Sequence, residues 1–524
     1  MRTPGNIAII GSGINSLVAA AELAIAGKRV CLVERQDRLG GFIHSANRTL
    51  PRFTHDTYSS YHPLFVSGAA YKALGQELHA RGLEYCNSED AVTASVGKDP
   101  GTGKHRVVIA HRDPQRTVEA LTPADKTAYL SMLEDLKQNE STIFGAFSAE
   151  LRSPKEIAKL AAGALKRNKI KGNELFLRDA LMSGRNYLRS RFDSWEADQL
   201  WSPWLLHAGL SPDSATGGIM LPVMAATMHG FGLPVVKGGA SQFVAAFESL
   251  LRDHGVRVLL NTDVKRVLVE AGQVKGLDTS RGRISADAVL ANVSPQMLYG
   301  KLIDDAPPAI AAAAARYQNG RGAMQIHLAL SKPLEWLDRR LNMVPLIHIS
   351  NGSDSTGIAC AQAEAQLLPA DPTIVVGQQS LLDPSRSPAG QATLWLQLQE
   401  VPFAPAGDAA GLLAVANGWS QELKTGFMER ILGKLEEFAP GARASVLGWD
   451  IVSPQDLAAN NPNAVKGDPY GGSAELFQNL LWRPFPSAAG HQTPVKGLWH
   501  IGASTHPGPG LSGGSGHLVT RELI

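Results

Sequence analysis

The first apolar run of the chain is followed by a helical pattern and a second apolar run. Asn6–Ile10 is short and rich in isoleucine, as a buried strand is, and it leads through a glycine turn into an alanine- and leucine-rich helix over residues 14–26. The second run, Arg29–Val33, ends at Glu34. Strand, helix and strand in this order predict a βαβ unit with parallel strands.

The periodicity changes several times further along the chain. Residues 92–96 and 106–111, with glycines between them, predict a short hairpin, and apolar residues recur at helical spacing from residue 123 to about residue 229. Later segments predict helices at 243–254 and 423–438, and strands at 256–260, 286–291, 324–330, 373–381 and 392–400. This mixture of helices and strands indicates an α/β protein.

The first glycine turn has the composition of a dinucleotide site. Gly11 makes the tight turn, and Gly13 lets the backbone approach a pyrophosphate, whose charge meets free N–H groups at the helix start. Glu34, about 20 residues on, can bind both ribose hydroxyls and would repel a 2′-phosphate, so NADP is disfavoured. Ser16 replaces the usual third glycine, so this turn alone is equally compatible with an ordinary strand-turn-helix.

A second glycine pair follows Glu34 closely. Gly40 and Gly41 suit a backbone that folds over the same pyrophosphate, because glycine tolerates positive φ and close ligand approach. Arg38 supplies a cation and Ser45 a hydroxyl for the phosphates. The two turns together favour nucleotide binding over a purely structural role.

The far end of the chain carries a third glycine-rich segment. Residues 497–502 predict a strand, a turn rich in glycine extends to Gly516, and a short helix follows to residue 524. Such a turn and helix start again present backbone N–H groups to a negative charge.

The paired ends resemble the flavin-binding amine oxidase and phytoene desaturase superfamily. Within that superfamily, the chain most resembles the phytoene-desaturase-like branch, which includes the mitochondrial pyridine-nucleotide-disulphide-oxidoreductase-domain protein. The sequence departs from the family pattern at Ser16 and at Pro509, which interrupts a common glycine triplet. The other segments that carry the resemblance are residues 51–56, 237–243, 255–264, 383–390, 453–457 and 483–486.

The resemblance implies an α/β fold with two discontinuous domains. A Rossmann-like, glutathione-reductase-like domain would bind FAD, and an α+β domain would bind the substrate. We place the FAD-binding domain at residues 1–118, 236–295 and 445–524, and the substrate domain at residues 119–235 and 296–444.

The resemblance also implies where FAD binds. In this family the first glycine turn holds the pyrophosphate, a backbone position matching Val264 pairs with adenine, and the last helix points its N-terminus at the flavin ring. The expected cofactor contacts are Gly11, Gly13, Ile14, Asn15, Ser16, Glu34, Arg35, Arg38, Gly40, Gly41, Ser45, Val264, Gly502, Ala503, Gly510, Leu511 and Ser512.

Catalytic acids and bases are marked less clearly than the cofactor site. His506 follows the last strand, beside the Pro-Gly-Pro-Gly turn, and Tyr58 and His62 lie in an aromatic stretch after the second glycine pair. These three are the candidate catalytic residues, although a lone histidine is more often structural. The spacing of acidic, histidine and cysteine residues does not predict a metal site.

Composition narrows the class of partner and compartment. A net charge of +2 over 524 residues gives no reason to expect nucleic acid, and the three cysteines show no C-x-x-C spacing, as suits a reducing cytosol. The apolar runs stay below the roughly 18 residues that span a bilayer, and the first strand starts too early for a signal peptide. We expect a cytoplasmic protein; a homodimer and peripheral membrane contact through the basic helix near Lys155 stay open.

The expected reaction is desaturation or dehydrogenation of a largely apolar small molecule by hydride transfer to flavin N5, with O2 or a quinone as electron acceptor. An N-terminus of the last helix aimed at the ring would stabilise the reduced anionic flavin. Two alternatives stay open: an amine or amino-acid oxidase that produces hydrogen peroxide, and a non-catalytic flavoprotein that binds a partner.

Overall fold

The computed structural model describes residues 5–416 and 418–524, apart from the side chains of residues 167–169. The strands are β1 Asn6–Ile10, β2 Arg29–Val33, β3 Ser45–Ala46, β4 His55–Asp56, β5 Tyr85–Cys86, β6 Ala91–Lys98, β7 His105–His111, β8 Val235–Val236, β9 Arg257–Leu259, β10 Val264–Glu270, β11 Gln273–Thr279, β12 Gly282–Ser285, β13 Ala288–Asn292, β14 Gly322–Leu330, β15 Leu346–Ile349, β16 Leu367–Leu368, β17 Ile374–Gly377, β18 Ala392–Val401, β19 Gly407–Asp408, β20 Val446–Val452 and β21 Leu498–Ile501.

The helices follow the predicted pattern, including the long helical segment after residue 123. They are α1 Ile14–Ile25, α2 Pro63–Val66, α3 Ala69–His79, α4 Pro114–Thr117, α5 Pro123–Phe147, α6 Pro154–Leu181, α7 Gly184–Arg191, α8 Trp195–Trp201, α9 Gly217–Phe231, α10 Ser241–Asp253, α11 Pro295–Met297, α12 Pro308–Ala315, α13 Ser353–Glu364, α14 Gln379–Leu382, α15 Gln421–Glu436, α16 Pro454–Asn460 and α17 Gly514–Leu523. Within the described ranges, none of them has the length and hydrophobicity needed to cross a bilayer.

A parallel sheet forms the first half of the molecule. Its strand order in the described chain is β21-β13-β1-β2-β9, so segments far apart in sequence meet side by side. Ile7 and Ile9 pack with α1, α10 and α17 on one face, while Ala8 and Ile10 pack on the other face against β10 and β11. This two-sided burial explains the continuous apolar runs, and it confirms the α/β class.

A larger sheet forms the second half, with the order β20-β14-β18-β17-β15-β6-β7. The hairpin β6–β7 belongs to this larger sheet, since β6 pairs in parallel with β15. Strand β6 is buried on both faces. Strand β20 joins the sheet through β14. Strands β6, β7 and β20 therefore pair with the sheet of the second half, although the borders at residues 118 and 445 would assign them to the FAD-binding domain. The domain division stays a prediction.

Three of the segments that carry the family resemblance meet around one buried arginine. The Arg386 guanidinium contacts Asp56 at 2.7 Å and Asp383 at 3.2 Å, and all three side chains are almost completely buried. The Asp56 carboxylate also accepts the N–H of Ala240, and the Asp383 carboxylate accepts the N–H of Gly238. These residues therefore fasten the turn after β8 between the two halves of the molecule.

Helices α1 and α17 pack so closely that one position requires glycine. A Cβ on Gly516 would lie 2.0 Å from the carbonyl oxygen of Asn15, which is backbone and cannot swing aside. Gly516→Ala is expected to lower the free energy of unfolding by about 1–3 kcal/mol, because the two helices must separate. Urea unfolding, monitored by tryptophan fluorescence, measures this loss of stability.

Gly433→Ala is the matched control for that substitution. Gly433 lies inside α15, where the nearest atom to a new Cβ would be a flexible arginine end at 3.6 Å. Alanine there is expected to stabilise the chain by about 0.5–1 kcal/mol. Equal effects of the two substitutions would contradict the close-packing explanation.

Candidate functional site

A cavity of about 410 Å³ begins at the carboxyl ends of the parallel strands and reaches the larger sheet. Its first part is lined by Ile10 of β1, Val33 of β2 and Asn292 of β13. Its second part is lined by Met224 and other residues of α9 and by alternate residues of β18, such as Gln397. Ligands of open α/β sheets bind at the carboxyl ends of the strands, so the first part is the expected nucleotide position.

Helix α1 begins at the cavity wall without a side-chain cap. Gly13 is its N-cap residue, and the following Ile14 and Asn15 are buried and line the cavity. A buried helix start without a capping partner is a ready site for an anion. Gly11 also lines the wall, with a φ of +80° that favours glycine. The first turn therefore fits a pyrophosphate.

The second glycine turn packs directly on the first. Gly41 has a φ of +59°, and a Cβ there would lie 3.2 Å from the Cα of Gly13. Gly40 donates its N–H to Ser12, and both Gly40 and Gly41 line the cavity. Arg38 is outside the cavity lining, although its buried Nε has no partner in the described chain. The two turns form one continuous part of the cavity wall.

Glu34 lies at the cavity wall with its carboxylate fixed by neighbouring donors. One oxygen accepts the backbone N–H and the hydroxyl of Ser12, at 2.9 and 2.6 Å, and the other accepts the N–H of Gln36 at 2.8 Å. The two bonds from Ser12 use both lone pairs of the first oxygen, whereas the oxygen that accepts from Gln36 keeps a lone pair for a ribose hydroxyl. Arg35 and Val264 line the wall beside it. Ser12 was missed by the sequence analysis, although it stands inside the glycine turn.

Asn292 explains why serine replaces the third glycine. Its amide donates to the Ser16 hydroxyl at 2.9 Å, and a Cβ on Gly502 would lie 2.3 Å from its side-chain oxygen. Ser16 and Gly502 are therefore packed around Asn292 and do not line the cavity, although both are among the expected cofactor contacts. Asn292 itself was missed; a polar residue that ends an apolar strand was the available signal.

Two predicted phosphate or flavin contacts have structural partners instead. The Ser45 hydroxyl accepts the N–H of Ser241 at the start of α10, and the Ser512 hydroxyl accepts the N–H of Gly514 at the start of α17. Neither residue lines the cavity. Ala503, Gly510 and Leu511 do line it, so the last glycine-rich turn reaches the site through these three residues.

His506, the leading catalytic candidate, is a buried structural residue. Its Nε2 donates to the carbonyl of Ala146 at 2.9 Å, and its own carbonyl accepts from Nε2 of His491 at 2.8 Å. Burial lowers the pKa of His506 to about 4, so the ring is neutral. It is absent from the described residues that line the cavity, and both of its backbone and ring partners are structural, so nothing in this geometry supports a direct role in catalysis.

The other two candidates differ in position. His62 bonds to the Tyr85 hydroxyl at 3.1 Å and packs edge-on against Phe243, outside the cavity lining; burial lowers its pKa to about 4. Tyr58 does line the cavity, with its ring 5.1 Å from that of Phe42. Burial raises the pKa of Tyr58, so its hydroxyl is neutral and is not a general base near neutral pH.

The comparison with protein families decides the identity. The profile of the family described as flavin containing amine oxidoreductase matches residues 17–430. The chain belongs to the flavin-containing amine oxidoreductase family. FAD is its cofactor, in agreement with the uncapped helix and the fixed carboxylate at the cavity wall. Membership also makes this protein an oxidoreductase with a small-molecule substrate and an electron acceptor.

Relatives of this flavin-containing oxidoreductase match it over nearly its full length. The pyridine nucleotide-disulfide oxidoreductase domain-containing protein 2 of Rattus norvegicus is 25% identical, over 98% of this chain and 93% of the relative. The 4,4′-diapolycopen-4-al dehydrogenase of Metabacillus indicus is 24% identical, over 96% of this chain and 94% of the relative. Among solved structures, cyclohexylamine oxidase from Brevibacterium oxydans has a TM-score of 0.59 at 16% identity. The match covers 99% of this chain and 98% of the oxidase. The last similarity shows the fold.

Proposed function

We propose that this flavin-containing oxidoreductase desaturates or dehydrogenates an uncharged, largely apolar small molecule. FAD, when bound, supplies a two-electron acceptor for the hydride. The observation that carries the proposal is the composition of the cavity wall beyond the nucleotide position. We also propose that the cofactor domain is of the glutathione-reductase-like type.

The far part of the cavity is lined by apolar and neutral polar side chains. The lining residues there include Trp204, Met224, Met228, Leu233, Leu346 and Trp395, together with Gln325, Gln397 and Gln399. An apolar substrate would replace water against the tryptophan and methionine side chains, at about 25 cal/mol per Å² of apolar surface. The amides offer hydrogen bonds without charge.

The charged residues of the described lining give little support to a charged substrate. Three of them, Glu34, Arg35 and Asp263, lie at the nucleotide position. The fourth, Asp468, accepts three backbone N–H bonds of 2.7 Å each, and burial raises its pKa. An amine cation or an amino-acid carboxylate would therefore lack a free counter-charge, which favours dehydrogenation of a neutral molecule over amine oxidation.

The cofactor contacts follow as part of the proposal. The backbone at Gly11, Gly13 and Gly41 would hold the pyrophosphate, and Glu34 would hold the ribose. Val264 would meet the adenine. The last turn would meet the flavin ring through Ala503, Gly510 and Leu511, and Tyr58 would orient the substrate by donating its neutral hydroxyl.

The similar proteins include both a dehydrogenase and an amine oxidase. A relative named as a dehydrogenase of 4,4′-diapolycopen-4-al favours oxidation of an apolar chain, while the fold shared with a cyclohexylamine oxidase keeps amine oxidation as the alternative to be tested. The absence of a free counter-charge in the described lining decides our choice between them.

The test begins with the absorption spectrum of the purified protein before and after denaturation. Anaerobic addition of uncharged terpenoids, polyenes and polyketides is then compared with cyclohexylamine and L-leucine, and the reduced protein is returned to air or to a quinone. We expect an uncharged compound to bleach the visible flavin band and the amines to leave it unchanged. Bleaching by an amine, with hydrogen peroxide formed in air, would instead establish the oxidase. A flavin that no compound bleaches would favour a non-catalytic flavoprotein.

A further inference from the structure

Two histidines form a pair at the far wall of the cavity. His207 lies in the short helical segment after α8 and lines the cavity, while His348 of β15 lies fully buried behind it. Their Nε2 atoms are 3.0 Å apart. Trp204 holds the His207 ring from one side, with the ring centroids 4.5 Å apart. The position and orientation of His207 are thus set by two neighbours.

The hydrogen bond between the rings requires that one Nε2 carries a proton and the other does not. Burial lowers the pKa of His207 to about 3 and lowers that of His348 well below its ordinary value. Both rings are therefore neutral, and each carries a single N–H.

The surroundings of His348 decide which ring donates. Its Nδ1 is buried and has no partner among the described residues. A buried N–H without an acceptor is rare in proteins, which favours the tautomer in which this Nδ1 is unprotonated. His348 then carries its proton on Nε2 and donates it to His207. As a consequence, His207 carries its own proton on Nδ1.

The sheet adds a row of neutral polar side chains on the same face. Strand pairing sets Gln325 opposite Gln397, Gln397 opposite Val375, and Val375 opposite His348. Residues paired directly across strands point to the same face of a sheet. Both glutamines line the cavity. The wall around His207 is thus suited to an uncharged polar group on an otherwise apolar ligand.

We propose that His207 is a substrate-binding residue whose Nδ1–H donates to an oxygen atom of the substrate. The ligand class is an uncharged molecule that carries a carbonyl, hydroxyl or ether oxygen. The inference rests on the proposed function, because it assumes that the substrate occupies the far part of the cavity, and it adds the polar group that this substrate must carry. His348 is a positioning residue, because it fixes the proton of His207.

An isosteric pair of ligands tests the N–H. Acetophenone carries a carbonyl oxygen where α-methylstyrene carries a CH2 group. Titrations of the FAD-bound protein with each compound, monitored by the flavin spectrum, measure their binding. The wild-type protein is expected to prefer acetophenone by about 3- to 10-fold, the value of one hydrogen bond. His207→Phe keeps a ring against Trp204 but has no N–H, so the preference is expected to fall below about twofold. His105→Phe, on the exposed surface, is expected to retain it.

A second measurement does not depend on flavin or ligand. Long-range 1H–15N spectra of protein with 15N-labelled histidine, assigned with the His207→Phe and His348→Phe variants, give the tautomer of each ring. We expect the proton on Nδ1 of His207 and on Nε2 of His348, unchanged between about pH 6 and pH 8.

Several results would overturn the inference: equal or undetectable binding of both ligands by the wild type, a preference that persists in His207→Phe, or the reverse tautomers. Failure of the proposed function is distinguishable from these. A protein that binds no FAD contradicts the proposed function, whereas the tautomers are measured in either case.

Discussion

Replacing Arg386 with methionine is expected to lower the free energy of unfolding by about 3–5 kcal/mol. Arg386 is 1% exposed and is paired with two carboxylates that are equally buried. Methionine fills much of the space but leaves Asp56 and Asp383 inside the protein without a counter-charge. Two buried carboxylates without a counter-charge cost more free energy than the separation of two packed helices. The loss of stability is therefore expected to exceed that of Gly516→Ala.

Urea unfolding of the FAD-bound protein measures the effect, with Arg340→Met as the control. Arg340 forms a similar pair with Asp338, but its side chain is 64% exposed, so its removal is expected to cost less than about 1 kcal/mol. A triple variant, Arg386→Met with Asp56→Asn and Asp383→Asn, removes all three charges. It is expected to lose less stability than Arg386→Met alone. A single substitution that costs no more than the control would contradict the account of the network.

The sequence predicts those parts of the site that local pattern determines. The strand, the glycine turn and the first helix are recognisable because their apolar period and their glycines occupy consecutive positions. Glu34 follows from its place at the end of the second strand. The structure brings these residues to one wall, with Gly11, Gly13 and Glu34 lining the same cavity.

The predicted site residues that do not line the cavity have partners far away in sequence. His506 lies beside a glycine-rich turn, but it is held away from the cavity by Ala146, 360 residues earlier. Ser16 is held by Asn292, 276 residues later. A pattern within one segment does not contain such pairings, and this is why Asn292 and His207 were missed.

The hairpin β6–β7 shows the same limit at the level of the fold. The sequence predicts its two strands from two short runs with glycines between them, and the structure has both strands. Its sheet was not predictable in this way, because the neighbour of β6 is β15, about 250 residues later. Local pattern gives the element, whereas the long-range partner gives its position.

Glu34→Gln is expected to weaken FAD binding by about 10- to 100-fold. The carboxylate accepts backbone N–H bonds at both oxygens, from Ser12 and from Gln36. A glutamine has only one oxygen, so its NH2 group must face one of these N–H donors. The substitution therefore removes the charge that a ribose hydroxyl would meet and also displaces the group that carries it.

Titration of the flavin-free protein with FAD, followed by the quenching of flavin fluorescence, gives the dissociation constants. Asp37→Asn is the matched control, because it removes one carboxylate three residues away whose side chain is 76% exposed. It is expected to change the affinity by less than about twofold. Unfolding of each flavin-free protein in urea separates a loss of affinity from a loss of stability. If Glu34→Gln binds FAD as tightly as the control does, the ribose is held elsewhere, and the carboxylate serves only to fix the glycine turn through Ser12.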